Sequence, residues 1–216
     1  LLGDYWLVKA MENILASSAH GNEGIRIFSK TLSSLAEGEM LQLQKASSGD
    51  TEEKDYFRII YSKTASLFES ACVSAAISVN APCAWKEAVR SYAVSLGIAF
   101  QIKDDIFDYA GGKKIGKPVG IDLEERKITL PLLGALASAP CERASQIRNM
   151  LLKVQERLEY KDAIVSFVKE CNGIEYAVSR LDEYVAKAVG SLAVLPDSRE
   201  KDYLVKIAGF TAYRDK

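Results

Sequence analysis

The sequence predicts an all-α protein, and three observations carry that expectation. Phe57, Ile60, Tyr61, Thr64, Leu67, Phe68 and Ala71 fall at i, i+3, i+4, i+7, i+10, i+11 and i+14, one face of a helix with about 3.6 residues per turn. The five prolines, at 82, 118, 131, 140 and 196, leave long uninterrupted segments. Nothing between those segments reads as a strand hairpin. A chain of 216 residues with 48% hydrophobic and 26% charged content has the profile of one globular domain, 1–216, with a sizeable core.

The first helix is expected over 4–17, where Leu7, Val8, Met11, Ile14 and Leu15 repeat the apolar stripe. A second follows over 22–46 and stops at Ser47-Ser48-Gly49-Asp50. The helix over 52–79 carries the stripe from Phe57 to Ala71 and ends at Asn80-Ala81-Pro82. Over 83–109 the core stripe is Val89, Tyr92, Ala93, Leu96, Phe100 and Phe107, and Gly111-Gly112 closes the helix. A basic, glycine-rich stretch runs to Gly120, and the remaining helices are expected over 129–138, 141–158, 161–171, 173–193 and 197–213. There is no fixed-period repeat and no interdomain linker.

Charge and cysteine usage narrow the function. Lys and Arg total 28 against 29 Asp and Glu, so a net charge of −1 offers no field for nucleic acid or a membrane surface. Cys72, Cys83, Cys141 and Cys171 show no C-x-x-C spacing and the single histidine is His20, which disfavours a zinc site. Scattered cysteines suit a reducing cytoplasm. No apolar run approaches the length of about 18 residues needed to span a bilayer, and the first residues do not form a secretory signal.

The most informative segment is Gln101-Ile102-Lys103-Asp104-Asp105-Ile106-Phe107-Asp108-Tyr109. On a helix, positions 101, 104, 105 and 108 share one face, so three carboxylates and an amide stand together near a helix C-terminus. Mutual repulsion and the helix dipole both oppose them there. A compensating cation is one answer, and oxygen-only ligands suit magnesium; calcium fits less well without a carbonyl-rich loop. A solvated acidic helix end, partly neutralised by Lys103, is the other. The same stripe continues through Ile98, Gly97 and Val94, an apolar surface that either receives a greasy tail or lets a neighbouring helix approach at Gly97. Lys63, on an apolar-flanked helix, is expected to reach outward, while the hydroxyl of Thr64 on the core face is expected to bond a backbone carbonyl. Lys113, Lys114, Lys117 and Lys127 follow the aspartates, and metal ions converging with lysines suit a diphosphate. The nucleotide loop G-x-x-x-x-G-K-[ST] is absent.

Taken in order, these strings resemble the trans-isoprenyl diphosphate synthases. FQIKDDIFDYAGG followed by GKPVGIDLEERKITLPLL is similar to their second aspartate-rich region, YSKTASLFESAC to their Lys-Thr helix, LLGDYWLVKA to their Gly-Asp helix, AEGEMLQLQ to a further helix and TAYRDK to their C-termini. The likeness runs through almost the entire chain. It implies an isoprenoid synthase-type helical bundle around a deep central cavity, a homodimer, and magnesium-assisted condensation of an allylic prenyl diphosphate with isopentenyl diphosphate. By that resemblance Asp104 is the strongest magnesium ligand, with Asp105 and Asp108 acting directly or through water. Lys63, Lys117 and Lys127 clamp the diphosphate, and Thr64 and Gln101 stabilise the allylic cation.

One departure concerns the start of the chain. The family's first aspartate-rich motif, with two arginines, belongs upstream of the Gly-Asp helix, and the sequence begins at Leu1-Leu2-Gly3-Asp4. The expectation is the larger, C-terminal part of a trans-prenyltransferase fold, with the N-terminal helices that cover Leu7, Val8, Met11, Ile14 and Leu15 lying outside it. Leu67, where short-chain members often carry an aromatic residue, resembles medium- and long-chain synthases of the octaprenyl type. A non-catalytic regulatory subunit of a heteromeric synthase, a terpene cyclase and a purely structural bundle are the alternatives. The intact Asp104, Asp105, Asp108, Lys63 and Lys127 argue against the first while the missing first motif argues for it, and the Lys-Thr and GKPVGIDLEERKITLPLL segments fit chain elongation better than the second.

Overall fold

The computed structural model describes residues 1–16, 20–110 and 120–214, and among these there is no strand. The order is α1 (Leu2–Ala16), α2 (Gly21–Ser48), α3 (Glu53–Ile60), a π-helical turn (Tyr61–Ala65), α4 (Ser66–Ser78), α5 (Cys83–Ala110), α6 (Ile121–Glu124), α7 (Leu130–Ser138), α8 (Cys141–Leu152), α9 (Glu159–Glu170), α10 (Gly173–Ser191), a 3₁₀ turn (Leu192–Val194) and α11 (Arg199–Tyr213). The all-α expectation and most helix positions therefore agree with the structure.

Helix α5 is the axis. It packs along α10 and α4 and against the π turn. Its C-terminal half buries Ile98, Ala99, Ile102, Ile106 and Tyr109 together with Leu130, Leu132 and Leu133 of α7, Phe167 of α9 and Leu181 of α10. Its N-terminal half buries Tyr92 and Leu96 against Ala188, Leu192 and Ala208. The Tyr92 hydroxyl donates to the carbonyl of Leu204 at 2.8 Å, tying α11 to the axis. The expected stripe is corrected here: Tyr92, Ala93 and Leu96 are buried, whereas Phe100 and Phe107 are only part-buried and the core runs through Ile98, Ile102, Ile106 and Tyr109. Helices on more than one side of α5 bury more than one stripe of it.

Three boundaries differ from the sequence expectation. The helix expected over 52–79 is interrupted by the π turn, an extra residue's worth of backbone of the kind that marks functional sites. The helix expected over 141–158 stops at Leu152, because Lys153 and Val154 bond back to Met150 and Leu151, each at 3.1 Å, and the tightened turns bury Val154 completely. Helix α6 was not expected. It forms where Gly120, at φ +77°, turns the chain and the Asp108 carboxylate accepts from the N–H groups of Ile121 (3.0 Å) and Asp122 (3.2 Å).

Helix α11 begins at Ser198, whose hydroxyl oxygen accepts from the N–H of Lys201 at 3.1 Å. Loss of that cap in Ser198→Ala is expected to cost about 1 kcal/mol, a fall of about 2–4 °C in Tm for a chain of this size. A thermal melt checks it; an unchanged Tm would mean that α11 is held by its packing alone.

Candidate active site

Helix α2 and the π turn meet at Gly38. A Cβ on that residue would stand 2.6 Å from Cβ of Ser62 and 3.0 Å from Cγ of Lys63, so only glycine lets the two backbones approach so closely. Across this contact Lys63 donates to Oε1 of Gln42 at 3.0 Å and forms an ion pair with Glu39. Gly97 does the same for α5, where a Cβ would stand 2.6 Å from Cα of Ala65. Close helix approach is thus the role of Gly97, and Ile98 beside it is core.

Thr64 on the π turn donates to Oε1 of Gln101 at 2.8 Å, not to a backbone carbonyl as its core-face position suggested. Gln101 passes the chain on through Nε2 to Oδ1 of Asp105 at 2.9 Å, and the Tyr56 hydroxyl donates to Oδ2 of Asp105 at 2.7 Å. Asp105 is buried, at 3% exposure, and burial pushes its carboxyl up to about 7 against the two hydrogen bonds that favour the ionised form. The burial of Tyr56 beside that carboxylate raises its own pKa. Asp108 is shifted upward as well, by burial first and then by the neighbouring Asp122.

Lys127 lies opposite, 3.2 Å from Asp122, and pairs also with Glu125. Burial works against its charge, but the Glu125 and Asp122 carboxylates outweigh it and raise its pKa. Lys63, Thr64, Gln101, Asp105 and Lys127 line one cavity of about 120 Å³, with Gln42, Lys45, Tyr56 and Asp122 among its other walls. Five of the residues expected from sequence thus converge. Lys117 falls outside the described residues, as do Lys113 and Lys114.

The three aspartates do not share one point. Asp104 forms an ion pair with Arg214, which also donates to the carbonyl of Phe100 at 3.3 Å and stacks on the Phe100 ring at 4.1 Å. Asp105 sits in the buried wall of the cavity, accepting from Tyr56 and Gln101, and Asp108 caps α6. Among the described residues no group of three or more His, Cys, Asp and Glu side chains is arranged around a metal position. Each acid has found compensation inside the protein, which the shared helix face did not foretell. The donor chemistry still fits a hard divalent cation: among the described residues Asp104 is 41% exposed and pairs with Arg214, and burial, the first cause of the upward shifts of Asp105 and Asp108, is a penalty on their charged forms that a bound cation would offset.

Glu39, Gln42, Lys45, Tyr56 and Asp122 were not picked out from sequence. Gly38, Gln42 and Lys45 are spaced i, i+4 and i+7, a helical periodicity that could have placed them on one face toward Lys63. Tyr56 lies 49 positions from Asp105 and left no such signal.

A family model described as Polyprenyl synthetase matches residues 1–168. Octaprenyl diphosphate synthase of Escherichia coli (strain K12) is 34% identical, over 100% of this chain and 66% of its own length. Its counterpart from Haemophilus influenzae is 36% identical, over 100% of this chain and 65% of its own. The crystal structure of a polyprenyl synthase from Caulobacter crescentus complexed with calcium and isoprenyl diphosphate superposes with a TM-score of 0.89 at 30% identity, covering 100% of this chain and 66% of that one. The chain therefore spans about two thirds of the length of these relatives.

Proposed function

The chain belongs to the polyprenyl synthetase family, and from that premise we propose that it elongates prenyl chains, condensing an allylic prenyl diphosphate with isopentenyl diphosphate. The observation that carries the reading is the convergence of Lys63, Thr64, Gln101, Asp105 and Lys127 on one cavity. Two ammonium groups offer point charges to a diphosphate, and the Thr64–Gln101–Asp105 hydrogen-bond chain lines the same cavity. Lys117 would join the clamp.

Magnesium, when bound, would be held by Asp104, with Asp105 and Asp108 directly or through water, and would neutralise the diphosphate and ease its departure. The family's first aspartate-rich motif, upstream of Leu1, would hold further magnesium, and the following steps are those that fall to groups of this chain. Lys63 and Lys127 hold the diphosphate while the allylic C–O bond breaks and its electron pair leaves with the phosphate oxygen. The Thr64 and Gln101 oxygens face the positive charge that develops on carbon. The isopentenyl double bond then attacks that carbon, and the proton released from the adduct passes to the departing diphosphate, so no histidine or cysteine base is required. Leu67 and the GKPVGID segment favour a medium or long product.

We read residues 1–216 as one unit of this fold, working as a homodimer in the cytoplasm. No helix among the described residues is long and apolar enough to cross a membrane.

The test is incubation of the full chain with an allylic diphosphate, labelled isopentenyl diphosphate and magnesium. Longer prenyl diphosphates are expected, and Asp104→Ala is expected to lower turnover by about 10²-fold or more, the scale of a lost charge-stabilising group. Cyclic hydrocarbon as the product, or no incorporation of label, would overturn the reading.

A further inference from the structure

We propose that Glu39 is a positioning residue that competes with the diphosphate for Lys63 and so weakens the hold on the departing product. The inference rests on reading Lys63 as a diphosphate clamp. An ammonium has three donors. Among the described residues Gln42 takes one at 3.0 Å and the Glu39 carboxylate another, so that a third is open to a phosphate oxygen. Gly38 builds this arrangement, because any side chain there would push α2 off the π turn and carry Glu39 away from Lys63.

Glu39 is 48% exposed and reaches the ammonium from outside the residues that line the cavity. Its carboxylate therefore stays hydrated while Lys63 turns to a ligand, and it is ready to take the charge back. The other described clamp shares part of this plan: Lys127 pairs with Glu125, which is 58% exposed, as well as with Asp122 on the cavity wall. A clamp of bare lysines would bind substrate and product diphosphate with the same grip, and such uniform binding does not speed turnover and retards release. A half-exposed glutamate on each lysine offsets part of that grip without removing the charge that stabilises the leaving group.

The experiment is calorimetric titration of the full chain with inorganic pyrophosphate and excess magnesium, comparing wild type with Glu39→Gln. The glutamine keeps the hydrogen bond and removes the competing charge. Pyrophosphate is expected to bind about two- to fivefold more tightly, the scale of a part-exposed ion pair. The KM for the allylic diphosphate should fall without a rise in kcat. In a Lys63→Gln background the same exchange should have no effect. Were Glu39 only a strut for Lys63, its substitution would loosen the lysine, and affinity would fall. Unchanged or weaker binding in Glu39→Gln overturns the proposal and leaves the elongation reading standing; failure of the wild-type chain to bind pyrophosphate overturns both.

Discussion

Asp105→Asn is expected to raise thermal stability at pH 8 in chelator while lowering turnover by about 10²-fold or more. Asp105 is buried at 3% exposure with its carboxyl pushed from 3.8 up to about 7, so at pH 8 the folded protein carries a charge that the interior disfavours. Linkage fixes the direction. A folded-state pKa above the unfolded one means that the carboxyl's contribution is fully present below pH 3.8 and is lost as pH rises through about 7. An amide cannot ionise, so its advantage grows over that window. Each tenfold change in the carboxyl's proton affinity is worth about 1.4 kcal/mol, and allowing for the loss of two charge-assisted hydrogen bonds the net gain is about 1–3 kcal/mol. The neighbours can adapt. The introduced amide accepts from Tyr56 through its oxygen, and a turn of the Gln101 amide lets the Gln101 oxygen accept from the introduced NH₂ while the Gln101 nitrogen donates to Thr64. Catalysis loses a carboxylate placed beside the proposed metal and clamp, with an expected fall of about 10²-fold or more. Melting curves from pH 4 to 8 decide the matter. A variant less stable than wild type at pH 8, or a difference that does not change with pH, would show that Asp105 is not held against its preference.

Gly97→Ala is expected to separate α5 from the π turn. Its Cβ would stand 2.6 Å from Cα and 2.9 Å from Cβ of Ala65, and 3.2 Å from Cδ2 of Phe68. The first obstacle is backbone, which cannot rotate away. Overpacking of this kind costs about 1–3 kcal/mol, against about 0.5–1 kcal/mol gained from alanine's better helix propensity. The larger effect is on geometry. Thr64 and Gln101 face each other across this contact at 2.8 Å, and a shift of about 1 Å in a reacting constellation can cost about 10²-fold in rate. Gly209→Ala supplies the contrast. It lies inside α11 with nothing within 4 Å of its Cβ, and the same exchange there should stabilise by about 0.5–1 kcal/mol with activity intact. Equal kcat in the Gly97→Ala variant and wild type would mean that the close approach at Ala65 plays no part in setting the site.

What could be read from the sequence was what repeats locally. The all-α class, the extents of α1, α2, α5, α7 and α9 to within a few residues, and the placing of Gln101, Asp104, Asp105 and Asp108 on one helix all follow from a 3.6-residue period and its breakers. That Lys63, Thr64 and Lys127 belong with them came from the order of several motifs.

Orientation and partnership were decided only in three dimensions. Asp104, Asp105 and Asp108 share a helix face, yet one meets Arg214, one meets Tyr56 and one caps α6. The partners lie 110, 49 and 13 or 14 positions away, separations at which no helical period operates. The π turn is likewise met by tertiary contacts, with Gly38 and Gly97 closing on it from two helices, and such rare turns have no local sequence signal of their own. Spacing in the sequence determined which chemical groups this protein presents together; burial and long-range packing determined which of them are buried, which are paired and which face the cavity.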